Sequence, residues 1–178
     1  MKKRLFIFHP NINNDGCKKT LELYCDHFVK KFKITLITNT LNRNLLKKIN
    51  SEVKIINPKN FFFKKNFLLN EIYCIFYFLR IKNKNSTVLS LDGHFLLLFL
   101  KLFKLNFKLI VRIANPIIKN NKNFFTTDPG LKIGYLDLIL MRFADLVVLY
   151  NKEHSKILLN TFKVKKILII RNYFPKII

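Results

Sequence analysis

Leu5-Phe-Ile-Phe-His-Pro-Asn-Ile-Asn-Asn-Asp-Gly-Cys-Lys-Lys-Thr-Leu-Glu-Leu-Tyr24 decides the fold class. Residues 5–8 are a short apolar run, and residues 9–16 are a polar, Asn-rich loop holding Pro10 and Gly16. Beyond them Cys17, Leu21, Tyr24, Cys25, Phe28, Val29 and Phe32 recur at the spacing of one helical face. Strand, loop and helix in that order open a parallel α/β domain. The loop then falls at the carboxyl edge of the sheet, where such folds take ligands. Asp15 or Gly16 is expected to cap the helix. Lys18 and Lys19 stand in its first turn, where the helix dipole disfavours cations. They suit either an anion bound at the helix N-terminus or two solvated lysines in a lysine-rich chain.

The same alternation runs through all 178 residues. Strands are expected at 33–38, 53–56, 87–91, 108–113, 145–149 and 166–170. Helices are expected at 41–49, 67–82, 95–103, 131–143 and from a cap near Asn151 to residue 162. Residues 60–65 read as a basic, Phe-rich loop, and 115–130 as a long polar loop. No internal repeat or linker divides the chain, so residues 1–178 form one expected domain. The strands are continuous apolar runs, as in a parallel sheet covered on both faces. Right-handed crossovers place residues 9–16, Asn39, 92–94, 114–130, 150–153 and Asn172 on one edge. The expected architecture is Rossmann-like and three-layered, with a mainly parallel sheet of about seven strands.

The formal net charge of +23 and pI near 10.1 suggest phosphate-rich partners, either nucleic acid or an anionic membrane surface. The chain is also poor in Gly (four) and lacks Trp, while Lys, Asn, Ile and Phe abound. Those are the residues of A+T-rich codons, so genome bias accounts for much of the charge. The lysines are spread along the chain and form no nucleic-acid motif, which argues against that partner. Cys17, Cys25 and Cys74 have no metal or disulfide spacing and read as reduced core thiols of a cytoplasmic protein. No metal or cofactor is expected. No run reaches the ~18 uncharged apolar residues of a spanning helix. Residues 67–81 are interrupted by Glu71 and Arg80, and 95–107 by Lys101 and Lys104. Each can cover a sheet or lie peripherally on the inner face of the cytoplasmic membrane.

Four stretches resemble the N-terminal, acceptor-side half of a GT-B glycosyltransferase, similar to glycosyltransferase family 4. Residues 5–20, with Asn14-Asp15-Gly16, resemble the family's first strand and glycine-containing loop. Lys33-Ile-Thr-Leu-Ile-Thr-Asn39 resembles its second strand. Leu109-Ile-Val-Arg-Ile-Ala-Asn-Pro116 resembles its fifth strand and acceptor-side loop. Phe143-Ala-Asp-Leu-Val-Val-Leu-Tyr-Asn151, then Ile170-Arg-Asn-Tyr-Phe-Pro175, resembles the Ala-Asp strand and the strand leading to the second domain. The chain departs from the family at two places. Asp15-Gly16-Cys17-Lys18 stands where adjacent glycines and an acid are usual. Asp92 aligns with a histidine that approaches the acceptor, and His94 follows two residues later.

The resemblance implies an acceptor-binding domain for sugar transfer from a nucleotide-sugar to a glycan or lipid-linked acceptor. It implies the acceptor half of a transferase, whose partner would be a donor-binding half carrying the family's paired glutamates, a possible separate chain, and it implies that residues 1–178 alone do not transfer sugar. It also implies the strand order 3-2-1-4-5-6-7. Asp92 and His94 are the candidate catalytic residues, a polar group and a general base beside the acceptor hydroxyl. Asp92-Gly93 is equally an ordinary turn, and His94 a helix-start residue. Asp15, Gly16, Lys18, Arg112 and Asn115 are the candidate substrate-binding residues. Gly16 serves either a turn or a close backbone approach to a ligand. Arg112, a charge within an apolar strand, either binds an anion or extends to solvent. A non-catalytic Rossmann-like binding module is the alternative function, and a basic nucleic-acid-binding domain the weaker third. His9 and His154 are lone histidines.

Overall fold

A computed structural model of the chain describes residues 2–12, 15–40, 43–57, 59, 67–82, 86–91, 94–119, 125–126 and 133–170; the side chains of 15–17, 43, 45, 67, 133 and 134 fall outside that description. The main sheet comprises β1 (Lys3–Phe8), β2 (Phe32–Ile37), β3 (Lys54–Ile56), β4 (Thr87–Ser90), β5 (Lys108–Arg112), β8 (Leu146–Leu149) and β9 (Ile167–Ile169). Its order is β3-β2-β1-β4-β5-β8-β9, and every pairing is parallel. The seven strands are those expected from the alternation of apolar runs, and their order is the one the resemblance implies.

Helices α1 (Asp15–Phe28), α2 (Arg43–Lys48), α3 (Phe67–Ile81), α4 (His94–Leu102), α5 (Ile133–Leu140) and α6 (Lys152–Asn160) connect the strands. The central strands show why their sequences do not alternate in polarity. In β1, Leu5 and Ile7 enter one apolar cluster while Phe6 and Phe8 enter the other. Both faces are therefore buried, and each large side chain removed from water contributes about 1.5–3 kcal/mol. The first cluster lies between the sheet and α1, where Leu21, Cys25 and Val29 meet Ile34, Leu36 and Leu89. The second is larger, with Cys74, Phe78, Leu97, Leu98, Leu138 and Leu158 of α3 to α6 packed on the opposite face. The β9 edge is the less covered end of the sheet: Leu168, Ile169 and Ile170 remain 47%, 41% and 41% exposed.

Two expectations are corrected. The stretch 115–130 is not all loop: Ile118–Lys119 (β6) and Phe125–Thr126 (β7) form an antiparallel ribbon. Two residues per strand are too few to show a period in sequence. Helix α1 begins at Asp15 itself, so its cap position falls on residue 14, outside the described residues. The cap expected at Asn151 is present; its side chain accepts from the Glu153 backbone N–H at 2.7 Å.

The scarcity of glycine has a local cost. After α4 the chain turns back through Lys104 at φ 57°, a left-handed position that glycine usually fills. The Lys104 N–H donates to the Lys101 carbonyl, and the Leu105 N–H to that of Leu100. This closes the helix as a Schellman turn on a residue that carries a Cβ.

Among the described residues no helix is long and apolar enough to cross a membrane. The charges within the two apolar runs have defined positions. Glu71 is fully buried on α3 and its Oε1 accepts from the Leu96 N–H at 2.8 Å, satisfying the first turn of α4. Lys101 pairs with Asp145 at 2.9 Å.

Candidate functional site

Parallel pairing brings the ends of β1, β2, β4, β5 and β8 to one edge of the sheet. The chain leaves β1 through His9, Pro10 and Asn11, and leaves β2 through Thr38, Asn39 and Thr40; all but Pro10 are polar, and His9, Asn11, Thr38, Asn39 and Thr40 are buried. Backbone bonds continue the ladder past the strand ends, from the His9 N–H to the Ile37 carbonyl and from the Asn39 N–H to the Pro10 carbonyl. Asn70, fully buried on α3, locks these two loops together. Its amide donates to the Pro10 carbonyl at 3.1 Å and to Asn11 Oδ1, and its Oδ1 accepts from Asn39. An isolated polar side chain in that position would cost several kcal/mol, roughly 2–7; shared among three partners it fixes the loops instead.

Beside this lock lies a histidine pair. His9 is buried, and its pKa is lowered to about 4, first by burial and then by the charge of Arg112. His94 opens α4, with its Nδ1 2.8 Å from Ser90 Oγ. Its pKa is lowered to about 3, first by burial, then by the neighbouring His9 and, less, by the charge of Arg112, against a backbone hydrogen bond to Arg112 that raises it. Both imidazoles are neutral at pH 7. The same surroundings make His94 a weak proton acceptor, and its ring is already engaged by Ser90 and the Arg112 backbone.

Arg112 ends β5 and is half-buried. Its Nε donates to the Tyr150 hydroxyl, and its guanidinium lies 5.0 Å from the Tyr150 ring centroid and 5.8 Å from that of Tyr24. Tyr24 in turn hydrogen-bonds Tyr150, and burial followed by that bond raises its pKa to about 12. Arg112 is thus held between two aromatic faces. Among the described residues it has no carboxylate partner.

The other sequence candidates are placed less closely. The backbone of Asp15 and Gly16 forms the first turn of α1, and Lys18 is half-buried one residue beyond Cys17. Asn115 is exposed after β5. Asp92 lies outside the described residues, as do the side chains of Asp15 and Cys17. Of the seven candidates, His94 and Arg112 are brought into one cluster. The remaining members are Tyr24, Tyr150, His9, Asn11, Thr38, Asn39 and Asn70. Tyr24 reads as an apolar-face residue and Asn70 carries no reading, so neither is marked by spacing.

Three buried side-chain atoms of this edge, His9 Nδ1, Asn11 Nδ2 and Thr38 Oγ1, have no hydrogen-bond partner among the described residues. Buried polar groups are ordinarily satisfied, so these three hold hydrogen-bonding capacity that the described residues leave unused. The thiols of Cys25 and Cys74 are distant in character: burial pushes both up to about 12, which makes them poor nucleophiles. Among the described residues no three His, Cys, Asp or Glu side chains converge as a metal site. No protein-family model matches this chain, and its sequence matches no curated protein.

Proposed function

We propose that the chain is a glycosyltransferase-like acceptor-binding domain that, paired with a donor-binding half, moves a sugar from a nucleotide-sugar to a glycan or lipid-linked acceptor. The observation that carries this reading is the buried polar floor at the carboxyl edge. His9, Asn11 and Thr38 offer unsatisfied hydrogen-bonding atoms there, on a frame held rigid by Asn70. Hydroxyl-rich ligands suit such a floor, because each hydroxyl both donates and accepts. The strand order and the resemblance of the four stretches support the same reading.

The proposal includes a membrane-facing surface. Leu69, Ile72, Phe76 and Leu79 form an exposed stripe on α3, and Phe99, Leu102 and Phe103 are exposed at the end of α4. Arg80 lies over Phe76, and Lys104 follows Phe103. An apolar face rimmed by cations suits peripheral contact with anionic lipid, consistent with an acceptor presented at the inner face of the cytoplasmic membrane.

The test is titration of the purified chain with a panel of free and lipid-linked glycans. Saturable binding, weakened about tenfold by Thr38→Val and by Asn11→Ala, is expected. Without a donor half, no nucleotide-sugar is consumed. Absence of binding across the panel, with the fold intact by circular dichroism, sinks the proposal. A non-catalytic binding module is the second reading, favoured by the weak basicity of His94. Turnover that appears when a nucleotide-sugar-binding chain is added decides against it.

A further inference from the structure

Every strand of a parallel sheet starts at the same edge, so cations scattered in sequence meet there in space. Arg4 and Lys33 are the second residues of β1 and β2, and Lys54 is the first of β3. The register sets Arg4 opposite Lys33, and Thr35 opposite both Phe6 and Lys54. By alternation all five stand on the face of Phe6, which α3 covers. With Ile81, the last residue of α3, they line a cavity of about 130 Å³. Phe6 is buried, Thr35 and Ile81 are half-buried, and the three cations are exposed. The apolar residues thus lie deep and the charges stand at the mouth.

Like charges at facing positions of neighbouring strands destabilise a sheet. Among the described residues, Arg4, Lys33 and Lys54 have no carboxylate partner, and no acid lines the cavity. Glu52, two residues before Lys54, pairs instead with Lys2 at 3.8 Å. We propose that this cavity is a binding site for a phosphoryl group carrying two or more negative charges, a phosphomonoester or a diphosphate. Three converging cations exceed what one carboxylate neutralises. A guanidinium grips two phosphate oxygens at once, the lysines act as point charges, and the Thr35 hydroxyl is a further donor. A water takes up ~30 Å³ of the liquid, so a cavity of about 130 Å³ admits the phosphoryl group and leaves the rest of its molecule outside. The site is at the edge opposite the carboxyl-edge cluster and does not rest on sugar transfer.

Calorimetric titration of the whole chain with inorganic pyrophosphate and with acetate tests the site, at ~0.15 M salt, where exposed charges more than about 8 Å apart are screened. Pyrophosphate is expected to bind one to one and to raise the melting temperature, and acetate not to saturate. The triple variant Arg4→Gln, Lys33→Gln, Lys54→Gln should bind pyrophosphate about tenfold more weakly or worse. It should melt no lower than wild type without ligand, because the facing like charges are gone. A control triple with the same loss of charge, Lys119→Gln, Lys152→Gln, Lys156→Gln, at exposed positions of β6 and α6, should change the affinity less than about twofold. Lys33→Gln alone should weaken binding about threefold, which keeps the test open if the triple variant fails to fold. Equal weakening by the two triples overturns the proposal, because diffuse charge then holds the ligand. So does pyrophosphate that binds at several sites or fails to saturate. Vesicles of phosphatidic acid separate two sources of the group. Vesicle binding that the first triple weakens as strongly supports the site with a lipid headgroup in it; vesicle binding that it leaves unchanged supports the site with a free phosphorylated compound.

Discussion

One face of the sheet carries two regions of the same chemistry and opposite fates. Over β1 and β2, α1 seals Leu5, Ile7, Ile34 and Leu36 from water. Over β8 and β9, Leu168 and Ile170 of the same face stay substantially exposed. The strands on both sides are equally apolar, so strand composition does not predict burial. What differs is position: β1 and β2 lie inside the sheet beneath α1, and β9 is its edge strand. The comparison teaches that an apolar strand composition does not by itself secure burial in a parallel sheet.

The comparison is open to breakage by substitution. Leu21→Ala, in the sealed half, should destabilise the fold by about 2–5 kcal/mol. Leu168→Ala should cost far less, since much of that side chain already faces water. Denaturant titration with the two variants side by side measures the difference; equal losses would show that the open half is covered in solution.

Acid should act on the polar edge above the sealed half. The pKa of His9 lies below its ordinary 6.5, at about 4, so the unfolded chain binds the extra proton first as pH falls. Stability contributed by the neutral ring is complete above pH 6.5 and is lost between about pH 6.5 and 4. At 1.36 kcal/mol per unit this is roughly 3 kcal/mol for His9. His94, lowered to about 3, extends the loss further into acid. Melting temperatures from pH 7 to 4 should fall in wild type and fall less in His9→Gln. A curve identical in the two proteins would remove His9 from this account.

A smaller effect concerns α6, which lies beneath the open half. Asn151→Ala removes the bond to the Glu153 N–H and should cost about 1 kcal/mol. The smallest has the opposite sign. Lys104→Gly should stabilise by up to about 1 kcal/mol, because it relieves the left-handed strain at φ 57°. Calorimetric melting resolves both, and a loss of stability in Lys104→Gly would place more of that residue's value in its side chain than in its backbone.

The strands were legible because seven apolar runs are separated by helical periods, and right-handed crossovers put their loops on one edge; the strand order came from the resemblance of the four stretches. Asn151 was legible because a cap is a local event. The site was legible only in part. Arg112 stood out as a charge in an apolar strand, and the edge loops followed from topology. Glu71 read only as a charge interrupting an apolar run and Asn70 carried no reading, because their roles are settled by Pro10, Asn11, Asn39 and Leu96, distant in sequence. Tyr24 and Tyr150 likewise meet across the sheet face, a pairing that no local pattern announces. The β6/β7 ribbon was too short for any period.

Asn70 has a consequence for how this protein can change over time. It clamps the edge loops from the same helix that carries Leu69, Ile72, Phe76 and Leu79 outward. A helix turns by about 100° with each residue. A single-residue insertion between Asn70 and Phe76 would therefore swing the outer stripe away while the clamp stayed in place, and a deletion would do the reverse. Indels in this part of α3 therefore separate the clamp from the outward stripe, whereas substitutions along the stripe leave the clamp untouched.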